Sequence, residues 1–161
     1  MQKITPFLWF DDKAEEAANF YTTIFKNAKI GNIVRYSEGP AKASGKPLGS
    51  VMTVAFQLDG QEFIALNGGP HFRFNEAVSL VVNCETQAEI DEYWNKLSSG
   101  GQEGQCGWLK DKYGLSWQVV PTALGKWLGD DDPEKSARVM NAILHMRKLD
   151  IQTLQAAYEG I

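Results

Sequence analysis

Two histidines, His71 and His145, and two cysteines, Cys84 and Cys106, are the side chains here best suited to act as base, nucleophile or soft metal ligand near neutral pH. No Ser or Cys partner for either histidine is recognisable, so a catalytic triad is not supported and no catalytic residue is assigned. His71 follows Gly68-Gly69-Pro70 and lies beside Phe72 and Arg73, where it could overhang a cleft. The competing reading is a histidine on a surface loop. His145 falls in a predicted helix and reads as structural. Cys106 precedes Gly107-Trp108 near Lys110 and Lys112, whose charges would favour the thiolate if they approach; the competing reading is a buried, inert thiol. Cys84, at a strand end, reads as core. Gln118 sits between Trp117 and Val119 on an apolar strand. Its amide must be hydrogen-bonded if buried, either to a ligand or to backbone. Trp108 is the aromatic expected to line a pocket for a flat ligand, whereas Trp94 and Trp117 are expected to fill the core. The run Asp130-Asp131-Asp132 reads as a solvated helix start rather than a metal site.

The elements that must position these residues are written twice. Asp12 to Ile24 and Glu85 to Leu97 superpose at a constant offset of 73, placing Glu16 on Glu89, Phe20 on Tyr93, Tyr21 on Trp94 and Ile24 on Leu97. Each helical run follows an apolar strand, and each is later followed by a glycine turn and a second apolar strand, Gly60 before 63–66 and Gly114 before 117–120. That second offset is 54, so the second copy lacks a loop of about 19 residues. In the first copy, residues 3–10 read as a strand and Asp12 as an N-cap with Glu15 completing a capping box. The predicted helix buries Ala14, Ala17, Ala18, Tyr21, Ile24 and Phe25. Residues 29–36 and 51–58 read as strands, 37–49 as a mobile loop, and Asp59-Gly60 as a hairpin turn. In the second copy, Thr86 with Glu89 opens a helix burying Ile90, Tyr93, Trp94 and Leu97. Residues 98–104 form a glycine-rich exit, and short strands at 107–110 and 115–120 flank the turn Asp111 to Gly114. Beyond Pro121 the pattern turns helical, with Asp132-Pro133 and Asp150 as helix starts, a stripe of Ala137, Met140, Asn141 and Leu144, and a stop at Gly160.

Composition limits the function classes. The chain has 161 residues, 43% hydrophobic and 22% charged, with a net charge of −4. Its 16 Lys and Arg are scattered singly, which argues against a nucleic-acid partner. No apolar run has the length of a membrane span and no secretory leader is recognisable, so no membrane partner is expected and the cytoplasm is the expected address. Two cysteines without CxxC spacing make no disulfide framework.

The β-α-β-β-β order, written twice, resembles the vicinal oxygen chelate superfamily of glyoxalase I, extradiol dioxygenases and bleomycin-resistance proteins. The stretches Leu66-Asn67-Gly68-Gly69-Pro70-His71-Phe72 and Cys106 to Pro121 (CGWLKDKYGLSWQVVP) resemble its PhnB-like group, whose domain carries the label 3-demethylubiquinone-9 3-methyltransferase. The resemblance is expected to run over nearly the whole chain, C-terminal helices included. It implies an α+β fold: two βαβββ modules forming curved mixed sheets around a cleft, plus C-terminal helices, in a homodimer. The expected divisions are 1–67, a linker at 68–75, 76–122, and a helical tail at 123–161. Gln118, Trp108, Asn67, His71 and Phe72 are the expected ligand-binding residues.

Metal-binding members of that superfamily carry a His or Gln early in the first strand of each module and a Glu four residues after the last glycine turn. Those positions fall at or beside Pro6 and Ser79, and at Ile64 and Gln118. Proline and isoleucine offer no side-chain donor, and a transition ion needs three or more converging ligands, so no metal and no cofactor are expected. The methyltransferase label lacks the strand, GxGxxG and helix unit that normally holds such a donor. The expected function is binding of a small molecule in an apolar cleft. The alternatives are an enzyme of lyase or dioxygenase type using the same cleft, with a metal site completed by loop residues, and the labelled methyltransferase. Whether any reaction is catalysed stays open.

Overall fold

The computed structural model describes residues 2–161 and divides into two compact units, the first ending at Phe74 and the second spanning Asn75–Ile161. The first unit runs β1 (Phe7–Phe10), α1 (Ala14–Ile24), β2 (Lys29–Arg35), α2 (Glu38–Ser44), β3 (Val51–Leu58) and β4 (Gln61–Asn67). The second runs β5 (Ser79–Cys84), α3 (Gln87–Ser98), β6 (Gln102–Glu103), β7 (Trp108–Lys110) and β8 (Ser116–Pro121), then α4 (Leu124–Leu128), α5 (Pro133–Ile143) and α6 (Ile151–Glu159). Each unit holds a mixed four-stranded sheet with the same topology, β1-β4-β3-β2 and β5-β8-β7-β6, in which the first and last strands are parallel neighbours and the other pairs are antiparallel. Two βαβββ modules in an α+β fold are therefore present, as the repeat implies, and neither sheet closes into a barrel.

The alternation of β3 and β4 decides the layering. Val54, Phe56 and Leu58 on β3, with Phe63 and Ala65 on β4, are buried. They pack under α1, whose Ala14, Ala17 and Ala18 are fully buried and whose small side chains bring helix and sheet close. Tyr21 stacks on Phe56 at 6.0 Å and Phe56 on Phe63 at 5.3 Å. Trp94 fills the position equivalent to Tyr21 in the second unit, 2% against 1% exposed, and its indole N–H donates to Glu103 Oε1 at 2.9 Å. The Asp59-Gly60 hairpin forms as expected, both residues having positive φ (48° and 81°) as a two-residue loop of this kind requires.

Several expectations are corrected. The first helix is not capped by Asp12: its N-cap is Lys13, which makes no side-chain cap bond. Asn67, at the end of β4, accepts from the Ala14 N–H through Oδ1 at 2.8 Å and donates from Nδ2 to the Val51 carbonyl at 3.1 Å. The cap thus comes from 53 residues away, because the parallel pairing Phe10↔Asn67 brings the end of β4 beside the start of α1. The helix α3 keeps its local cap, with Thr86 accepting from Glu89 N–H. The expected mobile loop at 37–49 contains α2, ended by Gly45 in the left-handed conformation. Phe25 is half-buried at the end of α1 rather than part of its core stripe. In α5 the buried face is Val139 and Ile143, while Met140 and Leu144 of the expected stripe are 43% and 58% exposed.

The C-terminal helices pack on the second unit through Val120, Trp127, Val139, Ile143, Leu149 and Leu154. Their attachment is also polar. The N–H groups of Cys106 and Gly107 donate to the carbonyls of Met146 and Arg147, both at 2.8 Å. Gln87 donates to Leu149 O and accepts from Ile151 N–H. Asp132 and Asp150 cap α5 and α6 as expected.

Asn67→Ala is expected to lower unfolding free energy by about 2 kcal/mol, since a buried donor and a buried acceptor both lose their partner. Denaturant unfolding should show a lower midpoint at unchanged slope, and an unchanged midpoint would dismiss the cap. Burial pushes the Cys84 thiol up to about 11, with the Glu89 carboxylate adding to the effect. A disulfide reagent at pH 8 should therefore leave Cys84 unmodified in the native protein and react with it once denaturant is added. Rapid native-state labelling of Cys84, located by peptide mapping, would contradict this.

Candidate functional site

With α1 covering one side of the first sheet, the side chains that alternate with the core face the other way: Phe7 and Trp9 on β1, Ile64 and Leu66 on β4, and Thr53, Ala55 and Gln57 on β3. This open face carries a cavity of about 300 Å³ lined by Gln2, Thr5, Lys29, Gly31, Ala55, Phe56, Gln57, Glu62, Phe63 and Ile64. Its cause lies in side-chain size. Gly31 and Ala55 are the smallest side chains of the patch and lie against each other across β2 and β3; a Cβ built on Gly31 would stand 3.3 Å from the Ala55 carbonyl oxygen. Gly31, Ala55 and Ile64 are the apolar lining; Lys29, Gln57 and Glu62, which are successive cross-strand partners, form a charged polar row beside it, and Thr5 and Gln2 add further polar groups. Gln2 closes one end, its amide donating to and accepting from the Glu62 backbone.

The five ligand-binding candidates fall into two groups, and none of them lines this cavity. Asn67, His71 and Phe72 come together at the far end of β4. The amide of Asn67 is spent on the chain's own backbone. Phe72 is 65% exposed and meets Trp9 edge-on, ring centroids 4.9 Å apart. His71 is exposed and lies against Gly69. The Trp9 indole donates to the Gly69 carbonyl at 2.9 Å and packs so closely on Gly68 that a Cβ there would come within 2.3 Å of the ring. Trp108 and Gln118 form the second group, cross-strand partners on β7 and β8. The Gln118 amide donates to the Ser79 hydroxyl at 2.9 Å, so the two positions considered for metal ligation in that unit hold each other.

Strand pairing also refines the repeat. Phe7 faces Ile64 as Val81 faces Gln118, an offset of 74 for the first strands against 73 for the helices, because three residues join β1 to α1 and two join β5 to α3. Thr5, which lines the cavity, is thereby the counterpart of Ser79, and Pro6 is the counterpart of Leu80. The Pro6 carbonyl accepts from Ile64 N–H at 3.0 Å. Among the described residues no three His, Cys, Asp or Glu side chains converge. With Thr5 in place of Pro6, the set Thr5, Ile64, Ser79 and Gln118 offers two hydroxyls, one amide and an aliphatic side chain, which do not fit a transition ion. The turns after the two parallel-paired first strands, Asp11-Asp12-Lys13 and Glu85-Thr86, do not offer a glycine cradle for a nucleotide-like methyl donor either.

Cys106 is held at positive φ (61°) in the turn before β7, half-buried, with its backbone N–H engaged by Met146. Asp111, buried at 2%, accepts from the N–H groups of Tyr113 and Leu115 and from the Trp117 indole, and so organises the β7–β8 turn. The sequence marks the Asp111–Gly114 turn but not the buried carboxylate that organises it, nor the cavity. The usable signal for the cavity was the run Thr53, Ala55, Gln57 alternating with Val54, Phe56, Leu58.

Comparison with known proteins agrees with this architecture. The family model for 3-demethylubiquinone-9 3-methyltransferase matches residues 2–120. The match stops short of the C-terminal helices, so the resemblance does not extend over them as expected. The PhnB protein of Bacillus cereus, which carries the same methyltransferase name, is 42% identical over 74% of this chain and 99% of its own, with a TM-score of 0.66. A protein from Pseudomonas aeruginosa is 19% identical over 75% of this chain and 98% of its own, with a TM-score of 0.62. A fosfomycin resistance protein from Listeria monocytogenes is 13% identical over 75% and 93%, with a TM-score of 0.50. The latter two share the fold alone. No curated protein matches the chain. Family model, relative and module topology together place it: the chain belongs to the 3-demethylubiquinone-9 3-methyltransferase family, in its PhnB-like group.

Proposed function

We propose that this protein binds a small, largely apolar molecule on the open face of its first sheet, without a resident metal. The cavity above Gly31, Ala55 and Ile64 carries the reading: it lies opposite the helix-packed core, so its shape is free of the demands of folding. About 300 Å³ suits a molecule of metabolite size. An apolar floor supplies affinity in proportion to buried area, and a polar margin supplies orientation. The metal-free half of the proposal rests on donor chemistry, since Ile64 stands where a carboxylate ligand would be needed. Methyl transfer lies outside the proposal, because neither turn after a parallel-paired first strand suits the donor.

A second copy of the chain is part of the same reading. Phe7 and Val34 on the first sheet are 56% and 40% exposed, and Val81 on the second is 50% exposed. Apolar side chains on open sheet faces are the kind that association covers.

Benzyl alcohol added to isotopically labelled protein should shift the amide signals of residues 55–57 and 62–64. Ala55→Leu, which fills the cavity from the side away from the core, should reduce that affinity about tenfold or more with little change in thermal midpoint. Undiminished binding to the Leu variant would reject the site. EDTA should leave the thermal midpoint unchanged, and stoichiometric zinc, iron, manganese or nickel surviving dialysis would overturn the metal-free reading. Sedimentation should report twice the 17.9 kDa chain mass at micromolar concentration, and a mass of one chain would reject the homodimer.

A further inference from the structure

The margin of the cavity specifies what such a molecule must carry. Lys29, Gln57 and Glu62 stand in one row across β2, β3 and β4, since Lys29 pairs with Gln57 and Gln57 with Glu62. All three line the cavity. None of their side chains makes a hydrogen bond or ion pair with another described residue, whereas elsewhere in the chain Lys46, Lys96, Lys110 and Lys148 each hold a carboxylate. Neighbouring strands are about 4.8 Å apart, so the ammonium-bearing and carboxylate-bearing backbones lie about 10 Å from each other with a neutral amide between them. That spacing leaves room for a ligand group between two opposite charges.

A ligand with only one charge would suit half of this margin and be repelled by, or indifferent to, the rest. An anion drawn to Lys29 comes within Coulomb range of Glu62, and a cation drawn to Glu62 meets Lys29. A zwitterion satisfies both ends, with Gln57 free to donate to its anionic group or accept from its cationic one. The adjoining floor of Gly31, Ala55 and Ile64 accepts an apolar body and offers it no hydrogen-bonding side chain. Resting on the binding reading above, we propose that the first-sheet cavity selects small amphipathic zwitterions: molecules with a carboxylate, a protonated amine and a compact apolar group, of which apolar α-amino acids are the simplest. Lys29 receives the carboxylate, Glu62 the ammonium, and Ala55 sets the depth available to the apolar group.

Four probes of one shape separate the contributions: L-phenylalanine, phenylacetate, phenethylamine and benzyl alcohol, titrated against the amide signals of residues 29–31, 55–57 and 62–64. L-Phenylalanine should bind about tenfold more tightly than benzyl alcohol, as two partly solvated charge-assisted contacts allow. Lys29→Gln should weaken L-phenylalanine and phenylacetate about fivefold and leave phenethylamine no weaker; Glu62→Gln should weaken L-phenylalanine and phenethylamine and leave phenylacetate no weaker. Both positions are exposed on the sheet face, so both variants should keep the parent thermal midpoint. Equal affinity for all four probes at these amides would overturn the zwitterion inference and leave the binding site standing. Shifts absent with every probe, or unaltered in Ala55→Leu, would overturn both.

Discussion

The parallel pairing of first and last strands in each module is the constraint on which the architecture depends. Parallel neighbours cannot be joined by a hairpin, so the chain must leave the sheet and return before β4 can lie beside β1. The excursion supplies α1 to one face and delivers β2 and β3 to the far side of β4, giving an order with the last strand inside the sheet. A single helix per module covers a single face. The other face is left open, and small residues there cost the core nothing. Asn67 is where this becomes local chemistry: the strand that completes the sheet also terminates the helix that covers it. It further accepts the Tyr36 hydroxyl on its backbone carbonyl.

Much of this was legible as pattern. The offset repeat identified α1 and α3, the buried equivalence of Tyr21 and Trp94, and both modules. The Asp59-Gly60 turn and the caps at Thr86, Asp132 and Asp150 are local signals that tertiary structure had no reason to override. What sequence missed was non-local. Asp12 has the right residue type for a cap and loses to Asn67, which reaches the helix only once β4 is paired. Met140 and Leu144 fit a helical stripe as well as Val139 and Ile143 do, and the choice between them is made by where Val120 and Leu149 lie. The cavity was invisible for the same reason: Gly31 and Ala55 are ordinary in their own strands and make a hollow only when β2 and β3 bring them together. Residues picked for chemical character, His71 and Phe72, lie at the other end of the sheet.

The name of the family and the chemistry of this chain rest on different residues. Membership follows from the match over residues 2–120 and from identical module topology. Activity follows from groups that can perform it. Here the positions considered for a metal carry a single threonine hydroxyl at Thr5, the aliphatic side chain of Ile64, and a Ser79–Gln118 pair satisfied by each other. The first sheet offers instead a hollow graded from apolar floor to charged rim.

The hydrogen bonds from Cys106 and Gly107 to Met146 and Arg147 have a consequence for the order of events during synthesis. A ribosome releases the chain from its N-terminus, and the first module owns all its strands once residue 67 has emerged. The second module is different. Its last strand, β8, ends at Pro121, yet two amides of the turn that leads into β7, and the Gln87 side chain at the start of α3, await acceptors and donors between residues 146 and 151. Chain growth therefore passes through an interval in which one module has all its strands and the other is short of its last hydrogen bonds and of the apolar cover of Leu149 and Leu154. Over that stretch of chain the second module, not the first, is the one still without part of its own core.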